Sequence, residues 1–576
     1  AQQRLWFLDQ LDPGKPRANV SRAFRIRGWP DADALGRALD SIRERHQVLR
    51  SVFRLVGGDL LQVVAAPPTL SLPLVDLGTL PERERDAEAL RLADKETRTV
   101  FDLARGPLLR TTLLRLSAEE HILMVTSHRA VFDERSREIF DRELAALYEA
   151  YHEGRPMPLS PLPMQYRDFA IWQREWLRGA ALEEQLSYWK RQLTPAPAVL
   201  GLPGSRRRPP ERTFRGATET ATIGGELAAK IRSLGEREGA TLFMSLLATV
   251  QDLLWRHAGR GDITVGSPVD GRTRSGSEGL IGLFANTLVL RADLSGDPTF
   301  REALLRAREI VTQAHANKDL PFEKLVEELN PERTLSHPPL FQATMRLQAG
   351  LSAPLGLVGL SVIPMQLTAE VARYDLALSF ADAGEEIRAS LQYSTDLFEP
   401  RTIRRMLAHL EVLLGGIVEE PDRRLSQFPL MAAGERHQVL VEWNQTTVEY
   451  PREMTAIRLF EEQAKRTPHA VAVEHEGKSL TYEELNRRAN GFAGYLRRMG
   501  VGPEVLVGLS VRRSFDMVVA LFGILKAGGA YVPLDLAYPA ERLRYMLKDS
   551  GASMALADRA AAASLSGTPA RIIVLE

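Results

Sequence analysis

"HILMVTSHRAVFDERSREIF", residues 121–140, is the stretch on which the fold turns. Its apolar run, His121 to Val125, leads into a His, an Arg and an Asp within six positions, His128 to Asp133. Beyond them the spacing of apolar residues becomes helical. A strand that enters a helix through a short polar turn is the unit of an α/β protein, and it presents ionisable groups on a rigid support. The competing reading is a buried strand running out into an ordinary polar loop, and residues further away decide between the two.

Upstream, "AFRIRGW" (23–29) reads as a strand and "ADALGRALDSIRERHQVLRSVF" (32–53) carries apolar residues at helical spacing. "DLLQVVAA" (59–66) alternates with period two, and "GPLLRTTLLRLS" (106–117) precedes the opening stretch. Downstream, the helix that starts near Ser136 closes at Gly154 before a proline-containing loop. This predicts an α/β unit over 1–178. A second unit, 179–424, follows "LEEQLSYWKRQL" (182–193) and a Pro-rich segment (194–212) and repeats the order of strands and helices. The segment 425–455 breaks into short pieces but carries Leu425, Phe428, Leu430, Leu440 and Trp443, so it is expected to adhere to its neighbours. A third unit, 456–576, shows regular α/β order. Both ends read as cut, because the chain starts without Met and stops at the apolar "RIIVLE" (571–576).

Composition removes several classes. Lys plus Arg and Asp plus Glu each number 74, so the formal charge is zero and no basic excess points to a nucleic-acid partner. With no cysteine, disulfides, thiolate metal sites and cysteine nucleophiles are excluded, and a cytoplasmic protein is expected. No apolar run reaches the roughly 20 residues that span a bilayer, and the N-terminus lacks the plan of a secretory signal, so no membrane partner is expected. Zinc-helix, phosphate-loop and serine-elbow patterns are absent, and no metal site is expected.

What remains is a series of clusters: "AQQRLWFLDQLDPG" (1–14), "RHQVLRSVF" (45–53), "SHRAVFDERS" (127–136), "YRDFAIWQ" (166–173), "GLIGLFANTLVLR" (279–291) and "NKDLPFEKLV" (317–326). In this order and spacing they resemble the condensation domains of non-ribosomal peptide synthetases, over about residues 1–430. "LTYEELNRRAN" (480–490) and "LKAGGAYVPLD" (525–535) resemble the first signatures of the adenylation domain that follows in such assembly lines. The resemblance implies two chloramphenicol-acetyltransferase-like lobes in a V-shaped pseudo-dimer with a central tunnel, then a linker and a truncated α/β adenylation subdomain. It implies acyl transfer. Upstream and downstream peptidyl carrier domains bring phosphopantetheine arms to the tunnel, where an acceptor amine attacks a donor thioester and a peptide bond forms. No cofactor is expected to be bound covalently to this chain, and ATP with Mg would serve only a complete adenylation domain. The opening cluster looks most like the subtype that joins an L-donor to an L-acceptor, and starter domains that accept a fatty acyl group share that look.

The centre departs from the family. Its signature reads His-His-x-x-x-Asp-Gly, whereas here His128 is followed by Arg129, then Asp133 by Glu134. The second His is assigned in the family as base, positioner or stabiliser. A guanidinium with a pKa above about 12 cannot be a base, but it can stabilise an oxyanion. By the same resemblance His128 is a core histidine turned from the tunnel, and Asp133 is ion-paired, with Arg45, Arg50 and Arg272 as candidates. Glu134 is a candidate partner for Arg129, and Asn286 is ranked as structural. Three functions remain open: condensation with Arg129 as stabiliser or positioner; a degenerate domain that recruits a tailoring enzyme, for which oxygenase-recruiting domains with a His-Arg centre are the precedent; or an unusual reaction, such as transfer to a soluble amine or from a non-standard donor.

Overall fold

In a computed structural model, the described residues are 2–575 except 12–13, 15–17, 67–71, 196–198, 203, 205, 332–333, 351–354, 366 and 368–369. Asp12 and Pro13 of the first cluster and parts of the Pro-rich segment lie outside them. The chain forms two compact units, 1–442 and 443–576.

The first unit is built on two sheets. One has five strands in the order Ser361–Met365, Asn19–Arg27, Glu120–His128, Leu109–Arg115, Leu74–Asp76. The expected strand of the opening stretch is its centre, and every residue after Glu120 is buried. Helices Ala32–Arg45 and Glu134–His152 pack on one face through residues such as Leu35, Leu39, Phe140 and Leu144. Ala89 and Ala93 of helix Glu82–Arg98 cover the other face. The second sheet has seven strands: Glu370–Val371, Arg215–Ile223, Ile387–Ser394, Leu376–Asp382, Ala343–Ala349, Asp262–Val269 and Asn286–Asp293. Helices Gly225–Arg237, Leu242–Ala258, Phe300–Ala316 and Pro400–Glu419 contribute to its core.

The two lobes are not divided cleanly along the sequence. Strand Ser361–Met365, from the second half of the chain, pairs antiparallel with Asn19–Arg27 and completes the first sheet. Leu280, Ile281, Leu283, Phe284, Leu355 and Leu357 likewise belong to the core of the first lobe. A boundary at 178/179 therefore separates residues in sequence, while the lobes exchange segments in space. Within the segment 425–455, Leu425 and Phe428 are buried in the core of the second lobe, whereas Leu440 and Trp443 are exposed.

The second unit carries a four-stranded parallel sheet, Ala530–Pro533, Leu506–Ser510, Met554–Asp558 and Arg571–Leu575, with a hairpin Val471–His475/Lys478–Thr481. A capping box of Thr481 and Glu484 starts helix Tyr482–Arg498.

Candidate functional site

The opening turn is clamped from several sides. Strand Glu120–His128 ends where His128 faces Asn19 in register, and the Arg129 N–H then donates to the Ala18 carbonyl (2.9 Å). The Ala130 carbonyl accepts from Gln2 Nε2 (2.8 Å), and the Ala130 N–H donates to His128 Nδ1 (3.1 Å). His128 is 3% exposed and meets Phe101 edge-on. Burial, and then the charges of Arg373 and Arg110, push its pKa down to about 4. The ring is neutral at pH 7, and because Nδ1 accepts, Nε2 carries the proton. His128 is thus a core residue that shapes the turn and has no free lone pair to act as a base.

Arg129, the residue that follows, is half-buried. Glu134 does not pair with it, contrary to the sequence expectation: its exposed carboxylate is engaged by Arg137 one helical turn on, by Arg346 (3.3 Å) and by Gln348 (3.2 Å). The helix that begins at Glu134 places its side chain against Arg346 and Gln348 of strand Ala343–Ala349. Arg373 Nη2 reaches the Asn19 carbonyl (3.4 Å), next to the carbonyl that holds the Arg129 backbone. Burial, and then the charge of Arg129, lower the Arg373 pKa below the ordinary Arg range. The end of strand Glu120–His128 is accordingly rich in positive charge beside a neutral imidazole.

Asp133 is the hub behind this turn. It caps helix Glu134–His152 through the Ser136 N–H (2.8 Å) and takes both Arg272 nitrogens (2.9 and 3.1 Å) and the N–H groups of Phe284 (2.9 Å) and Ala285 (3.0 Å). Ser136 Oγ is 2.7 Å away. Of the three candidate arginines, Arg272 is the partner, and both side chains are almost fully buried. Arg45 instead pairs with Glu143 (3.0 Å), and Arg50 donates to the Arg43 (3.0 Å) and Ala65 (2.6 Å) carbonyls. Arg272 also lies over the Phe284 ring, 4.2 Å from its centroid. Asp133 therefore joins the helix of one lobe to the segment 272–285 that crosses from the other.

A second junction escaped sequence reasoning. His46 Nε2 meets Glu143 (2.8 Å), and its Nδ1 accepts from the Ile281 N–H (3.3 Å) of the same crossing segment. Tyr166 adds an O–H donated to the Leu283 carbonyl (2.9 Å). The signal was present in the cluster at 45–53, but a His beside two arginines reads as surface until its partner, almost 100 residues on, is known. Asn286 makes four hydrogen bonds, donating to the Lys318 and Leu320 carbonyls and accepting from the Thr287 and Phe322 N–H groups. It ties the cluster at 317–326 to the crossing segment. Among the described residues no group of three or more His, Asp or Glu is arranged for a metal, and no helix is long and apolar enough to cross a membrane.

Comparisons with known proteins agree with this architecture. The family described as "Condensation domain" matches residues 1–440, and that described as "AMP-binding enzyme" matches 460–575. A linear gramicidin synthase polypeptide of Brevibacillus parabrevis is 47% identical over 561 residues, which is 96% of this chain but 11% of that relative. A crystal structure of a four-domain non-ribosomal peptide synthetase bound to AMP and glycine superposes with a TM-score of 0.84 at 21% identity, over 100% of this chain and 44% of that one. The X-domain in complex with OxyB from teicoplanin biosynthesis gives a TM-score of 0.67 at 30% identity, over 75% of this chain and 95% of that one. The two lobes have the chloramphenicol-acetyltransferase-like fold of condensation domains, which are peptide-bond-forming acyltransferases. The chain belongs to the condensation-domain family of non-ribosomal peptide synthetases, and a region of the AMP-binding enzyme family follows in the same chain.

Proposed function

We propose that residues 1–442 catalyse amide-bond formation between a donor acyl or peptidyl thioester and an acceptor aminoacyl amine, with Arg129 stabilising the tetrahedral oxyanion. Both substrates arrive on phosphopantetheine arms of upstream and downstream carrier domains, in the cytoplasm, and an L-donor and L-acceptor are the expected pair. The observation that carries the reading is the half-buried Arg129 on its clamped turn, with Glu134 engaged elsewhere. The N–C bond forms as the amine attacks, and the thiolate leaves when the oxyanion collapses. The proton lost by the nitrogen ends on the departing sulfur by way of solvent. An amine whose pKa lies near 8 is partly free at neutral pH, so no protein base is required to start the attack. A donor aimed at the charge that develops is worth about 10²- to 10³-fold in turnover.

Intact-protein mass spectrometry with donor- and acceptor-loaded carrier domains tests this. The native chain is expected to form product, and Arg129→Ala to lose about that factor. Product from Arg129→His alone would overturn the reading. A second reading, a scaffold that recruits a tailoring enzyme, is favoured by one observation, the 30% identity to a domain solved together with OxyB. It predicts no product from the native chain and a stable complex with an oxygenase in native mass spectrometry.

A further inference from the structure

The segment that leaves the second lobe is held there in two different ways. Its first part, Leu425–Phe428, is held by burial, and the carbonyls of both these residues accept from Arg256 Nη1 (2.9 and 3.1 Å). Its second part, the helix Ala433–Leu440, has no buried residue. With an exposed Leu440 and no hydrophobic face in the core, the usual source of helix docking is missing. What it does carry is Glu435, whose carboxylate lies 2.8 Å from His409 Nε2 and 3.8 Å from Arg405. His409, 4% exposed on helix Pro400–Glu419, has its other nitrogen 3.3 Å from His257 Nε2 on helix Leu242–Ala258, and the two rings stack at 5.4 Å.

We infer that the line Glu435–His409–His257 is a polar latch that holds helix Ala433–Leu440 on the second lobe, and that this helix is a detachable strap. A carboxylate only accepts, so His409 Nε2 donates to Glu435, and a single proton is then shared between His409 Nδ1 and His257 Nε2. Burial, and then the charges of His409, Arg405 and Arg256, hold the His257 pKa down near about 4, so the inner ring is a neutral partner at pH 7. The two imidazoles thus carry the hydrogen bond from the carboxylate into the lobe, and releasing the helix exposes no apolar core. Once the latch is broken, the chain keeps its apolar anchor as far as Leu430, which packs against the core of the second lobe beyond the buried Phe428. The stretch 431–442, about 12 residues, then joins the tether that leads to the second unit, adding up to roughly 40 Å of reach if it extends fully.

Hydrogen–deuterium exchange of the full chain, read by mass spectrometry, tests the latch. In the native protein, amides of 433–440 are expected to exchange at least tenfold more slowly than unstructured peptide. In Glu435→Ala and in His409→Phe they should approach the unstructured rate, while peptides from Leu242–Ala258 and Pro400–Glu419 stay unchanged. The double variant should exchange no faster than Glu435→Ala, because that change already removes every contact of the carboxylate with His409 and Arg405. Equal exchange of 433–440 in native and Glu435→Ala would overturn the inference, as would unprotected amides in the native chain. Glu435 is on the surface side of the contact, so its variant decides the matter even if His409→Phe folds poorly.

Discussion

A guanidinium at position 129 alters what a strand end can do, because a permanent cation can stabilise charge and cannot accept a proton. Replacing it tests the two roles separately. Arg129→Lys keeps the cation but loses the planar fork, and is expected to form product more slowly than the native chain and faster than Arg129→Ala. Arg129→Ala should lose about 10²- to 10³-fold in the same carrier-based assay. The identity of this residue was legible in the sequence, because it stands at a fixed distance from His128 and Asp133. Its surroundings were not: Arg373 comes to Asn19 from a segment 354 residues away, and a pairing of that span leaves no periodic trace. A second residue invisible to pattern is Asp252, fully buried on helix Leu242–Ala258 with neither carboxylate oxygen hydrogen-bonded among the described residues. Burial, against the opposing pull of Arg256, pushes its pKa up to about 7. An unfolded Asp titrates near 3.9, so between about pH 4 and 7 the unfolded chain gives up a proton that the folded chain keeps, and stability falls as pH rises through that window. Above about 7 both forms are ionised and the loss levels off, with an upper bound of about 4 kcal/mol. Asp252→Asn is expected to flatten this part of the stability–pH curve in denaturant titrations and to raise stability at pH 8 by about 1–3 kcal/mol.

At the scale of elements, the helix that follows the opening turn was predictable, and the contacts made by the crossing segment were not. Asp133 followed by Ser136 is a recognisable helix start, and the side chain indeed caps the Ser136 N–H. The same carboxylate also takes Arg272 and two backbone N–H groups from 284–285. Hydrophobic alternation says that a segment is a strand but not which sheet it joins, so Ser361–Met365 could be read as apolar without revealing that it completes the first sheet. The three candidate arginines for Asp133 show the same limit, since the sequence offered Arg45, Arg50 and Arg272 without ranking them, and the fold brings Arg272 across. Asp133→Ala takes one of two carboxylates from the 2%-exposed Arg272 guanidinium, which keeps Asp270 (2.9 Å) and the Leu280 carbonyl, so the loss is expected at the low end of a broken buried pair, about 3 kcal/mol. Chemical denaturation should show that loss. Exchange of the Phe284 and Ala285 amides should rise with it, whereas a cap lost on its own would cost about 1 kcal/mol and leave them protected.

For the whole molecule, the exchange of segments decides how many pieces melt. Among the described residues the hydrophobic clusters are confined to one compact unit each, three within 1–442 and two within 443–576. Two lobes of this size with private cores would ordinarily unfold separately. Here strand Ser361–Met365 and the residues 280–284 belong to the first lobe's core while their flanks belong to the second, so neither lobe can lose its core without pulling structure from the other. Calorimetry of the full chain should therefore show two transitions and not three. With enthalpy proportional to length, the transition of 1–442 should be roughly threefold the larger. Asp133→Ala, at the first lobe's helix, and Asp252→Asn, deep in the second, should move that same larger transition in opposite directions at pH 8. Thr481→Ala, which removes the capping box of helix Tyr482–Arg498, should lower only the smaller one, by about 1 kcal/mol. A third transition, or a larger transition that splits when Asp133 is replaced, would mean that the exchanged strand does not couple the lobes. The lobes would then be joined by the Asp133 and His46 junctions.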